Sequence, residues 1–222
     1  MVREIILGVA LTVGAFFAGP TQAADIFNPG SGDEQASGAV SDMSVLLFGG
    51  RSIEGHVWQP DSLPFVADYG GQAQIGTAFA YTPYHLPLGF VAGGEVGASL
   101  RFDNDTFGPS GTSGEVWVGP TLRHEGIPLG PVLIRPGFTF GLSAVTGSYG
   151  LERDREIEEG GDASLLYFMA PEISLALKAY PNIDFVYRAQ HRSGGKNIFF
   201  LPALGDMGDT TNANTFGIRV HF

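Results

Sequence analysis

Cysteine is absent from the 222 residues, so no disulfide holds any part of the chain together. Basic residues are scarce: 12 Lys and Arg stand against 23 Asp and Glu, a net charge of −11. Phosphate binding needs clustered Lys and Arg, so this balance argues against a nucleic-acid partner. Charged residues make up only 16% of the chain, and the acids gather in a few stretches between apolar segments. That distribution leaves a membrane setting open. Beyond residue 24, no apolar run reaches the roughly 20 residues that a spanning helix needs. No His, Asp or Glu cluster has metal-ligand spacing, so no metal is expected. The Gly-rich stretch 108–114 lacks the strand-to-helix context of a phosphate loop, and nothing calls for another cofactor.

What is present points to a wall of strands. Residues 1–24 read as a secretory signal peptide, with Arg3 near the start, an apolar run from Ile5 to Ala18, and small residues at Ala23 and Ala24. The run is too short for a single membrane anchor. A Gly-, Ser- and acid-rich leader follows over 25–41. From 42 to 222, alternation and turn punctuation mark eight candidate strands. They run over 42–50, 72–82, 90–102, 114–124, 131–143, 163–177, 183–193 and 214–222. The 33 Gly and 17 Phe suit a β-protein with close wall contacts and aromatic surfaces.

Long links (51–71, 103–113, 144–162, 194–213) alternate with short ones (83–89, 125–130, 178–182). Long outer loops, short periplasmic turns and an even strand count are the signature of an outer-membrane barrel. The faces agree. Phe216, Ile218, Val220 and Phe222 share one side of the last strand, opposite Gly217, Arg219 and His221. The expected fold is all-β, an eight-stranded antiparallel up-and-down transmembrane β-barrel occupying residues 42–222. An eight-stranded lumen is just wide enough for side chains to fill. Glu95, Arg101, Glu115, Arg123, Arg135, Glu172, Arg188, Arg192 and Arg219 all fall on inward positions and are expected to plug it as a paired network. The acidic run 152–159 reads as a solvated outer loop.

Strand 183–193 carries the candidate chemistry. Arg188, Gln190 and Arg192 point inward, while His191 and Ser193 share the lipid side near the outer rim. Two polar side chains there make sense if the substrate is itself a membrane lipid. An imidazole can take the hydroxyl proton as the serine oxygen attacks an ester, and an acid can hold the imidazole's tautomer. The plain alternative is that both are rim polar groups solvated by head groups. His56, His85, His124 and His221 have no comparable Ser.

The stretch Tyr187-Arg188-Ala189-Gln190-His191-Arg192-Ser193-Gly194-Gly195, with the closing strand Thr215–Phe222, resembles the lipid A 3-O-deacylase (acyloxyacyl hydrolase-like) family of outer-membrane barrels. The resemblance implies that Ser193 is the nucleophile, His191 its general base, and the 3-position acyl ester of lipid A the target. An oxyanion hole of amide donors belongs to the same chemistry. Where the family continues with Asn and closes with Glu, Gly194 and Gly195 follow here and no Glu occurs after Glu172. Asp206 is the acid nearest the family offset, with Asp209 next. Implied partners are lipopolysaccharide and the outer-membrane assembly machinery, in the outer membrane of a Gram-negative bacterium. Competing readings are a non-enzymatic structural or adhesion barrel and a lipid A oxidase, for which the chain offers no ligand set.

Overall fold

A computed structural model describes residues 41–54, 59–103, 111–196 and 202–222. The expected signal peptide over 1–24 and the leader up to residue 40 lie outside the described residues, as does His56. The strands are β1 (Met43–Ile53), β2 (Tyr69–Leu86), β3 (Phe90–Asp103), β4 (Thr112–His124), a short β5 (Ile127–Leu129), β6 (Val132–Val145), β7 (Leu165–Leu177), β8 (Tyr180–Ser193) and β9 (Asp209–His221). One helix, α1 (Leu151–Glu159), lies between β6 and β7.

Neighbours in sequence pair antiparallel except β4 and β5, which both pair with β6, and β1 pairs with β9. The sheet is therefore closed. Segment β5 continues β4 beyond Gly126, whose φ of +146° suits only glycine and breaks the strand. The nine segments thus build eight walls. The start of β1 and the end of the chain meet, with the Phe222 amide donating to the Met43 carbonyl at 3.1 Å.

Alternation sets what each wall presents. Leu47, Ile75, Leu100, Val118, Leu142, Ile173, Phe185 and Ile218 point outward and are exposed. Glu95, Arg101, Glu115, Arg123, Arg135, Glu172, Arg188, Arg192 and Arg219 are buried inside. Water outside would reverse this preference; lipid outside satisfies it. The chain is an eight-stranded transmembrane barrel of the outer-membrane type. Its strands are longer than the apolar faces suggest: β2 has 18 residues, beyond the roughly 9–11 that cross a bilayer. Backbone pairing does not stop where lipid does, so the walls run on into the expected loops.

The lumen is filled in layers. Arg188 donates to both oxygens of Glu95 (2.8 and 2.7 Å) and to Glu172 (2.9 and 2.6 Å). Arg123 joins Glu95 at 2.5 Å and Glu172 at 2.9 Å, and Arg219 grips Glu172 at 2.7 and 2.8 Å. An apolar cluster of Leu46, Phe48, Trp117, Phe168 and Val186 packs against this network. Trp117 stacks on Phe168 at 5.0 Å and donates its indole N–H to Glu95 at 3.0 Å. At the short-turn end, Arg135 pairs with Asp184, which also meets His221 Nε2 at 2.9 Å.

The 152–159 run, expected as a solvated outer loop, is helix α1 between β6 and β7; Arg153, Asp154, Glu158 and Glu159 are exposed, but Glu152 turns inward and is fully buried. Glu152 pairs with Arg101 at 2.8 Å and with Arg192. Two inward arginines at the end of the barrel draw the acidic turn in, because unpaired they would each carry a desolvation cost of several kcal/mol. The cavity left beneath, lined by Gln74, Arg101, Glu115 and Gln190 among others, measures about 20 Å³, room for roughly one water. No wide channel runs through such a lumen.

Candidate functional site

On the outer wall, polar side chains gather at the long-loop end of β8 and β9. On β8 the outward positions are Phe185, Tyr187, Ala189, His191 and Ser193, so the strand passes from lipid-facing aromatic to polar as it nears the long-loop end. On β9 the outward positions facing them are Ile218, Phe216, Asn214 and Asn212. His191 pairs across the strands with Asn212 on one side and Met169 on the other. Ser193 stands beside Tyr167 in the same way. Three strands thus bring a compact group of polar side chains onto the outside of the barrel.

Their hydrogen bonds are specific. His191 Nδ1 lies 2.6 Å from Asn212 Oδ1. Directly opposed residues on one face of a sheet have Cβ atoms about 5 Å apart, which is the reach this contact needs. Asn214 Oδ1 accepts from the Tyr187 hydroxyl at 2.8 Å, and Asn214 Nδ2 donates to the Ser62 carbonyl at 2.8 Å. The Ser193 hydroxyl donates to the Gly208 carbonyl at 3.0 Å and accepts from the Gly195 amide at 3.1 Å.

The group is sheltered. His191 and Ser193 are each 6% exposed, and Asn212 and Asn214 are each 1% exposed. An open position among head groups was expected for His191 and Ser193; the wall position is as read, but loops fold back over it. The segment after β8 returns through Gly194 N–H to Gly208 (2.8 Å) and Leu204 N–H to Gly194 (2.7 Å), while Tyr167 donates to the Pro202 carbonyl at 3.0 Å. Gly194 has a steric reason to be glycine: a Cβ there would stand 2.1 Å from the Met207 carbonyl.

Asp206 stands apart from this group. It is exposed, sits at a φ of +56° in the returning turn, and its backbone carbonyl accepts from Lys196 Nζ at 3.1 Å. Asp209 opens β9 opposite Ser193. The atom that meets His191 Nδ1 is the side-chain oxygen of Asn212, a carboxamide and not the downstream carboxylate expected from the sequence. The sequence did carry a signal for it. Asn212 and Asn214 fall on the same alternating positions as Phe216, Ile218 and Val220, so they are as anomalous on a lipid face as His191.

Among the described residues no three His, Asp or Glu side chains are grouped to hold a metal ion. The polar patch is a hydroxyl, an imidazole, two carboxamides and two phenols, with the Arg51 guanidinium opposite Asn214 on β1. Its chemistry is proton transfer and hydrogen bonding.

No family model matches the chain, and no curated protein does. Among solved structures it is similar to Neisserial surface protein A (NspA), at 12% identity and a TM-score of 0.45 over 83% of this chain and 99% of that one. It is similar to the outer membrane enzyme PagL at 11% identity and 0.47, over 80% and 98%. The N-terminal β-barrel domain of Pseudomonas aeruginosa OprF follows at 7% and 0.40, over 82% and 99%. Likeness at this level carries neither a site nor an activity across to this chain.

Proposed function

We propose that this barrel is a lipid A-modifying ester hydrolase of the Gram-negative outer membrane, removing the 3-O-linked hydroxyacyl chain. Ser193 is the nucleophile and His191 its general base; Asn212 takes the orienting place for which Asp206 was the sequence candidate. The observation that carries the reading is the 2.6 Å contact between His191 Nδ1 and Asn212 Oδ1 on the outer wall. A carboxamide oxygen accepts only from Nδ1–H, so in the neutral ring Nε2 is the basic nitrogen and takes the serine proton. Cys-His-Asn enzymes use the same neutral third member. The substrate ester belongs to a lipid because the pair lies on the outer wall and not in the plugged lumen.

In the resting arrangement the Ser193 proton points at Gly208. Attack requires that hydroxyl to turn from Gly208 toward His191, a rotation between staggered side-chain positions. As oxygen adds to the ester carbonyl, the imidazole takes the proton and then gives it to the sugar oxygen as its bond to the acyl carbon breaks; water repeats the cycle on the acyl-enzyme. The assembly machinery that inserts such barrels is the other partner this reading includes.

A second reading rests on one observation. The Ser193 hydroxyl bridges Gly208 and Gly195, which fastens the loop's return to the strand, a structural task that needs no catalysis. Mass spectrometry of lipid A from cells expressing the parent, Ser193→Ala or His191→Ala separates the two. Loss of one ester-linked hydroxyacyl chain with the parent only is the expected result. Unchanged lipid A in all three, with each barrel folded in the membrane, would leave the structural reading.

A further inference from the structure

The segment joining β1 to β2 does something the catalytic reading does not use. Residues Pro60–Ser62 form one 3-10 turn, closed by the Ser62 hydroxyl donating to the Gln59 carbonyl at 2.6 Å. The Ser62 carbonyl accepts from Asn214 Nδ2 on the outward face of β9 at 2.8 Å, so the segment lies down against the outside of the wall instead of standing above the mouth. Tyr69 braces it from the start of β2, donating its hydroxyl to the Pro64 carbonyl at 2.8 Å. Asp61 is exposed at the turn itself, and beyond it the exposed side chains are large and apolar. Leu63 is 54% exposed, Val66 63%, and Phe65 95%.

Two facts argue what covers those side chains. First, the anchor point is continuous with the lipid-facing band: Phe185, Phe216 and Tyr187 form a run of ring contacts at 6.2 and 5.4 Å, and the Tyr187 hydroxyl meets Asn214 itself. Second, Asn214 is a carboxamide at a lipid-facing wall position, where an unshielded polar group costs several kcal/mol in hydrocarbon. The Ser62 carbonyl and the segment above it remove that exposure. A strip that hides polar atoms from lipid and turns three large apolar side chains the other way is matched to acyl chains.

We infer that residues 63–66 form a lipid-facing apron, folded over the outer wall at β9 with Leu63, Phe65 and Val66 in the acyl-chain region of the outer leaflet and Asp61 on the head-group side. The apron widens the apolar surface of the barrel on one side only, beside His191 and Asn212. It stands whether or not Ser193 is a nucleophile.

The absence of cysteine makes the test direct. Phe65→Cys and, separately, Val66→Cys carry a nitroxide label in barrels reconstituted into phosphatidylcholine vesicles. Leu47→Cys, on the apolar wall, reports lipid, and the exposed Glu158→Cys reports water. Heat-modifiable gel mobility selects folded samples, and two apron positions guard against one failing to fold. The expected result is that oxygen relaxes the labels at 65 and 66 more than a water-soluble nickel complex does, as at 47. Nickel dominance, as at 158, would overturn the inference. So would dipolar broadening between labelled copies, which would mean that a second barrel covers the segment.

Discussion

Trp117 lies flat over Gly97 across the β3–β4 pair: a Cβ on Gly97 would stand 2.1 Å from the indole Cζ2. The glycine is what lets a tryptophan fit into an eight-stranded lumen. The indole then bridges the two kinds of interior, stacking on Phe168 and donating to Glu95. Gly97→Ala should cost about 1–3 kcal/mol by overpacking. Trp117→Phe should recover part of that cost in the double variant, since neighbours in contact couple by about 0.5–3 kcal/mol. Urea unfolding of the four barrels in detergent measures the cycle. Strict additivity would show that the two sites do not share space.

Glu172 is the hub of the lumen, receiving Arg123, Arg188 and Arg219. Glu172→Gln keeps the shape and removes the charge that three buried guanidinium groups face. Breaking a buried pair from one side typically costs about 3–5 kcal/mol, because the remaining charge is left uncompensated. The variant should unfold at clearly lower urea than the parent. A shift no larger than that of an outer-wall substitution such as Leu47→Ala would mean that Glu95 alone can hold the three arginines.

How much of this was legible in the chain follows from what alternation reports. A two-faced wall writes its faces into the sequence with period two, so the strands, the closure and the nine inward charges could be read directly. Helix α1 could not, because Glu152 and Arg155 carry no apolar stripe; the burial of Glu152 is decided by Arg101 and Arg192, which only the closed sheet brings together. Asp184 was overlooked for a similar reason, its partner Arg135 lying two strands back in the chain. At the outer patch, His191 and Ser193 were visible as polar residues on an apolar face. Asn212 has the same visibility, but a carboxamide does not stand out where the resemblance implies an acid.

Asn212 acts through His191 in the proposed mechanism, so its removal should slow turnover and not weaken lipid binding. Asn212→Ala should lower kcat by about 10²-fold, the low end of what general acid–base positioning contributes, with KM little changed. Asn212→Asp can accept the same Nδ1 proton and should recover much of the loss. Equal kcat for the Ala and Asp variants would reduce Asn212 to a wall residue.

Asp206 provides the complementary case. Its carboxyl is exposed in a left-handed turn, and the bond that ties this turn to Lys196 uses its backbone oxygen, which any residue supplies. Asp206→Asn keeps the backbone oxygen and a side chain that tolerates positive φ, so the turn should persist. Exposed surface substitutions of this kind usually change stability by no more than about 0.5 kcal/mol. Deacylation by this variant should match the parent within about twofold, while Asn212→Ala falls far below both. If Asp206→Asn is instead the slow variant, the loop must carry its carboxylate to His191 when lipid binds, and Asn212 would only hold the imidazole until that acid arrives.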